Sequence, residues 1–86
     1  MADTATLDTI IDTVTGLVSN EFGVPRDELT ADVDLSTVEG ADSVKVLRVV
    51  AKIERTYDIE LEDEDVFGFK TIRDVATSVS STVAAR

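Results

Sequence analysis

The sequence predicts an all-α fold, a small four-helix bundle of three main helices and one short helix, with a long first loop. Three observations carry that expectation. Apolar residues recur at helical spacing in three separate segments, no alternating stretch is long enough to pair as a strand, and Gly, Pro and Asp interrupt the segment between the first two helices. At 86 residues the chain reads as one domain, residues 1–86, near the size at which a single apolar core suffices.

Leu7, Ile10, Ile11, Val14, Leu17 and Val18 make the stripe of the first helix, with Asp3, Asp8 and Asp12 toward its positive end. Thr4 or Thr6 is the candidate cap, Gly16 weakens the helix locally, and Gly23 before Val24-Pro25 marks its latest end. Asn20 to Asp42 sustains neither period and reads as a long loop anchored by Phe22, Val24, Leu29, Val33 and Leu35. Val46, Leu47, Val50, Ile53 and Tyr57 then share one face of a second helix over Ser43–Tyr57, with Asp42 as its N-cap.

Asp58-Ile59-Glu60-Leu61 is too short to pair alone and reads as a connector. Glu62 to Asp65, ahead of Val66-Phe67-Gly68-Phe69, predicts one short helical turn with acids at its positive end and both phenylalanines in the core. Thr71 followed three residues later by Asp74 predicts a capping box. A last helix runs from about Ile72, turning Ile72, Val75, Ala76, Val79 and Val83 inward.

Eighteen acids against eight bases give a formal net charge of -10, which argues against nucleic acid or an anionic membrane as the main partner. The absence of Cys and His removes disulfides, thiolate metal sites and the commonest general base. Met1 to Thr6 lack the basic and apolar regions of a signal peptide, and no apolar run approaches membrane-spanning length. The expectation is a cytoplasmic monomer.

Two acidic arrangements invite a metal reading and fail it. Glu62 to Asp65 reads as a solvated helix start. Asp32, Asp34 and Ser36 begin a calcium-loop spacing, but Thr37 stands where the turn glycine belongs and Ser43 where a bidentate Glu belongs. No metal site is expected, and no catalytic residue.

Ala41-Asp42-Ser43-Val44 places a hydroxyl where a turn enters the second helix. By position alone Ser43 is a cap or first-turn residue. A hydrolase reading fails, because no His is present and Lys45 on the same turn points away from the hydroxyl. Attachment is the functional reading: a phosphodiester on Ser43 would meet free first-turn amides and the positive end of the helix. Asp42 would repel that phosphate, yet suits the Mg²⁺ of a transferase while the bond is made.

Gly40-Ala41-Asp42-Ser43-Val44, opening a helix after a long loop, resembles the phosphopantetheine attachment site of the acyl carrier protein family. The flanks are similar to that family as well: Phe22-Gly23-Val24-Pro25 through Glu28-Leu29-Thr30 and Asp34-Leu35 upstream, then Glu54, Tyr57-Asp58-Ile59, Thr71-Ile72 and Val75-Ala76 downstream. The resemblance implies a free-standing, non-catalytic four-helix carrier. A phosphopantetheinyl transferase would use coenzyme A to place 4'-phosphopantetheine on Ser43, with Asp42 supporting attachment. The arm's thiol would hold acyl groups as thioesters, delivered by an acyltransferase or acyl ligase and used by a ketosynthase and other synthase enzymes. An aminoacyl or peptidyl carrier is the nearest alternative; an acidic interaction module without a prosthetic group is the competitor from a different class.

Two departures from the family's pattern bear on partners. Val44 stands where Leu is usual. The second helix is usually acidic, whereas here it holds Lys45, Arg48, Lys52 and Arg55 against Glu54 alone. The chain is net -9 through Asp42, +3 over Ser43 to Tyr57 and -4 from Asp58 onward. Spacings of three, four and three put the four bases on one stripe. They form either a solvated face paired with acidic loops, or a docking face of Val44, Lys45, Arg48, Ala51 and Arg55 for acidic partner patches. The basic helix favours a polyketide or other specialised-metabolite pathway over general fatty-acid synthesis. In a carrier, Phe67 and Phe69 would border an acyl cleft with Val46, Val50 and Ile59.

Overall fold

A computed structural model describes residues 6–38 and 40–85. It contains four α-helices, α1 (Leu7–Phe22), α2 (Ser43–Tyr57), α3 (Asp63–Gly68) and α4 (Ile72–Ala85), and no strand among the described residues. None of these helices is long and apolar enough to cross a membrane.

Helix α1 starts where Thr6 accepts the Thr9 amide at 3.3 Å, and ends at Gly23, whose φ of 73° permits the left-handed cap bonded to Ser19 O. The alternative cap, Thr4, lies outside the described residues. Ile10, Val14, Val18 and Phe22 recur every fourth residue and are buried, which lets α1 pack against both α2 and α4. Buried Thr15 satisfies its hydroxyl by donating to Ile11 O at 2.7 Å. Gly16 is more than a weak spot: a Cβ there would lie 2.7 Å from Arg26 Nη1. Its missing side chain lets Arg26 cross α1 to reach Asp12.

The long loop holds two single 3₁₀ turns, Arg26–Glu28 and Leu35–Thr37, that the missing periodicity concealed. Val24, Leu29 and Leu35 anchor it in the core, and Val33 is partly buried. Polar bonds fix it from the other side. The Leu35 amide donates to Lys70 O at 2.8 Å, the Arg73 amide to Ala31 O at 2.9 Å, and the Arg73 guanidinium to both Asp32 oxygens at 2.7 and 3.2 Å. Asp34 accepts from the Ser36 hydroxyl and amide, which hold its carboxyl below the usual value, as Arg73 does for Asp32. The calcium-like spacing thus serves a turn cap and an ion pair.

Helix α2 differs from expectation at two positions, Leu47 and Val49. Val49, Val50 and Ile53 are buried, but Leu47 is 55% exposed. At 100° per residue, Val49 lies about 40° from Ile53 and Leu47 about 120° from it, so the core-facing arc includes the first and leaves the second in solvent. Asp58, at φ 55°, ends the helix in the left-handed region, and Glu54 accepts the Leu61 amide at 2.9 Å. The connector residues Ile59 and Leu61 turn inward.

Helix α3 is one short element, as the acidic start predicts, but Phe67 is 85% exposed and not a core residue; Phe69 is partly buried. The chain leaves the six-residue helix at Gly68, and only Val66 and Phe69 fall on its inner side. The capping box of α4 closes in both directions: Asp74 N donates to Thr71 Oγ1 at 3.0 Å and Thr71 N to Asp74 Oδ2 at 3.2 Å. The same Oδ2 accepts from Lys70 N. Asp74→Ala is expected to cost about 1 kcal/mol in urea unfolding through loss of this cap.

Candidate functional site at the start of the second helix

Ser43 is delivered by a turn that only glycine can make. Gly40 has φ 85°, and a Cβ there would sit 2.9 Å from Phe22 O, so the loop lies directly against the end of α1. Ala41 N then donates to Val38 O, Asp42 is extended, and its Oδ1 accepts the Lys45 amide at 2.8 Å as the N-cap. Ser43 follows as the first helical residue, exposed to solvent.

Behind that serine lies a cavity of about 260 Å³. Its polar lining is confined to Ser36, Asp42 and Ser43; the remaining walls are apolar, from Val18 and Phe22 of α1, Leu35 and Ala41 of the loop, Val46, Val49 and Val50 of α2, and Phe69 and Val75. Of the predicted cleft residues, Val46, Val50 and Phe69 line it. Ile59 is buried elsewhere in the core, and Phe67 points into solvent, so neither belongs to the cleft. Sequence reasoning missed other apolar walls, among them Val18, Phe22, Leu35, Val49 and Val75, because hydrophobicity marks a residue for the interior without saying which residues face a void.

The basic stripe of α2 is divided by its neighbour. Glu21, with 11% of its side chain exposed, accepts from Lys52 Nζ at 2.9 Å and more weakly from Arg48 Nη1 at 3.4 Å. Lys45 is half-buried, its Nζ 3.5 Å from where a Gly40 Cβ would stand. Helix α1 has no base in its last turn, and these α2 side chains bring positive charge to its negative end instead. Val44, Ala51 and Arg55 are exposed, and Arg55 makes no ion pair among the described residues.

The Lys52 hydrogen bond above all, then Arg48, holds the Glu21 carboxyl below its usual value against the opposing effect of desolvation. A depressed folded-state pKa means stabilisation that is complete above the ordinary value of 4.5 and lost as pH falls through the folded value. Glu21→Gln is therefore expected to be less stable than the parent at pH 7, and thermal unfolding curves of the two should converge in acid.

These features fit a covalent phosphate-linked arm: an accessible hydroxyl, its place at the positive end of a capped helix, and an apolar cavity beside the hydroxyl. The family model described as phosphopantetheine attachment site matches residues 12–79, most of the chain. An acyl carrier protein of Bdellovibrio bacteriovorus is 33% identical over 74% of this chain and 82% of its own length. The chain belongs to the acyl carrier protein family. It is likewise similar to an acyl carrier protein of Syntrophobacter fumaroxidans, 28% identical over 84% of this chain and 89% of that one. Among solved structures, the acyl carrier protein of Enterococcus faecalis matches with a TM-score of 0.73 and 25% identity, covering 90% of this chain and 98% of that one. The HMG-ACPI domain of the CurA module from Lyngbya majuscula shares the fold at a TM-score of 0.84 and 14% identity, over 99% of this chain and 85% of that chain.

As a member of the acyl carrier family, the protein is a non-catalytic carrier whose cofactor is covalently attached 4'-phosphopantetheine. The reading as an interaction module without a prosthetic group is thereby set aside.

Proposed function

We propose that Ser43 is the residue that receives the arm. The observation that carries this reading is its exposed hydroxyl at the first position of α2, on the rim of an apolar cavity. The Ser43 oxygen forms the new bond to phosphorus, adenosine 3',5'-bisphosphate departs from coenzyme A, and the hydroxyl proton passes to a base on the transferase. This chain has no His to take it. Asp42 keeps one carboxylate oxygen on the Lys45 amide, so α2 stays capped while Ser43 reacts. The positive end of α2 favours the phosphate once it is attached. When bound, the arm supplies the thiol that holds acyl groups; with no Cys in the chain, no thiol of its own competes.

The cavity is proposed to shelter the acyl end, with Val46, Val50 and Phe69 in contact. If amide shifts at these three residues are the same with and without a bound acyl group, the cargo stays in solvent and this part is wrong. The basic face of α2 supports a polyketide or other specialised-metabolite pathway, served by a phosphopantetheinyl transferase, an acyltransferase or ligase, and a ketosynthase. A fatty-acid carrier is the second reading, favoured by the apolar lining, which has no polar partner for keto groups beyond the mouth. Arms bearing saturated and β-keto chains of equal length separate the two: perturbation of Val46 and Val50 by the saturated chain alone favours the second.

A further inference from the structure

The mouth of the cavity behind Ser43 carries one polar group that the attachment chemistry does not use. Ser36 lines it from the loop side, on the single turn Leu35–Thr37, and is exposed. Its hydroxyl has a fixed sense. It donates to Asp34 Oδ1 at 2.7 Å, and the same oxygen accepts the Ser36 amide at 2.9 Å. These bonds, the hydroxyl first, hold the Asp34 carboxyl below its usual value, so at neutral pH it is ionised and can only accept. The Ser36 proton is therefore committed to Asp34, and the lone pairs of its oxygen are left for another donor. The turn itself is pinned, since Thr37 Oγ1 donates to Asp34 O at 2.7 Å and the Leu35 amide to Lys70 O at 2.8 Å.

Resting on the reading of Ser43 as the attachment residue, we propose that Ser36 binds the arm: its oxygen accepts the amide N–H nearest the arm's thiol when an acyl chain occupies the cavity. Connectivity selects that group. Two methylenes separate the sulfur of 4'-phosphopantetheine from this amide nitrogen, so a chain sheltered in the cavity leaves the thioester and the amide at the mouth. Polarity agrees. Once Ser43 is esterified, the polar groups at the mouth are the Asp42 carboxylate, the phosphodiester and the Ser36 oxygen, all of them acceptors. Such a rim suits an N–H donor. It repels a carboxylate, and the apolar walls beyond it offer that carboxylate no compensating hydrogen bond. Simple acyl chains are therefore drawn in and held by Ser36, whereas cargo ending in a carboxylate stays in solvent.

The test loads the carrier from hexanoyl coenzyme A that holds nitrogen-15 in this amide. Fragment mass mapping comes first: a label on a residue other than Ser43 overturns the attachment reading and this proposal with it. With the arm on Ser43, solvent exchange of the labelled amide should be about fivefold slower in the parent than in Ser36→Ala, the change that one neutral hydrogen bond makes. Ser36→Thr should restore the slow exchange, and arms without an acyl group should exchange alike in all three proteins. A merely structural role for Ser36 is separated from the ligand's side. Ser36→Ala should reduce cavity occupancy, read from the Val46 and Val50 amide shifts, for the natural arm but not for an arm with an ester oxygen in place of that N–H. Equal exchange in parent and Ser36→Ala, or the same loss of occupancy with amide and ester arms, overturns the proposal and leaves Ser43 as the attachment residue.

Discussion

Ser43→Ala is expected to remain folded and to accept no arm. Incubated with coenzyme A, Mg²⁺ and a broad-specificity phosphopantetheinyl transferase, the parent should gain one phosphopantetheinyl group by intact mass, and the variant none. The loss should be complete, because the substitution removes the only atom at that position able to bond phosphorus. Stability should change by no more than about 0.5 kcal/mol, since an exposed first-turn serine contributes little beyond the cap that Asp42 already provides. Full modification of Ser43→Ala would move the attachment to another hydroxyl and overturn the proposed site.

Ile53→Ala should give the largest loss of stability of any single truncation on α2. Ile53 is fully buried, and removing its outer carbons is expected to cost about 3 kcal/mol, the sum of lost transfer energy and the cavity left behind. Leu47→Ala, on the same helix and of the same class of change, should cost about 0.5 kcal/mol or less. Urea midpoints followed by circular dichroism compare the two directly. Equal losses would mean that Leu47 packs inside.

That contrast shows where sequence reasoning succeeded and where it stopped. The Gly23 stop of α1 and the Thr71–Asp74 box that opens α4 were legible because their signals are local, whereas Asn20 to Phe22, read as the start of the loop, are the last turn of α1. Asp42 as the cap of α2 was legible for the same reason, and with it the placement of Ser43 at the first helical position. Leu47 and Phe67 were misplaced because hydrophobicity reports what a side chain favours, not which arc of a helix its neighbours cover. The two 3₁₀ turns escaped notice because three residues are too few to show a period.

The candidate site divides along the same line. Spacing alone put four bases on one stripe, but the packing of α1 beside α2 decided that Glu21 would engage Lys52 and Arg48 and that Arg55 would face outward. Glu21 lies thirty-one residues from Lys52 in the chain, a separation across which no pattern rule reads a pairing.

The sequence by itself determined the helical class, the capped start of the second helix, the serine at that start and the family, because each is encoded in residues that are neighbours along the chain. Only the tertiary structure decided that the serine opens onto an apolar cavity, which residues wall it, and which bases of α2 engage Glu21. Those properties arise where α1, the loop, α2 and α4 meet, and the geometry of that meeting is set by close packing between segments remote in sequence.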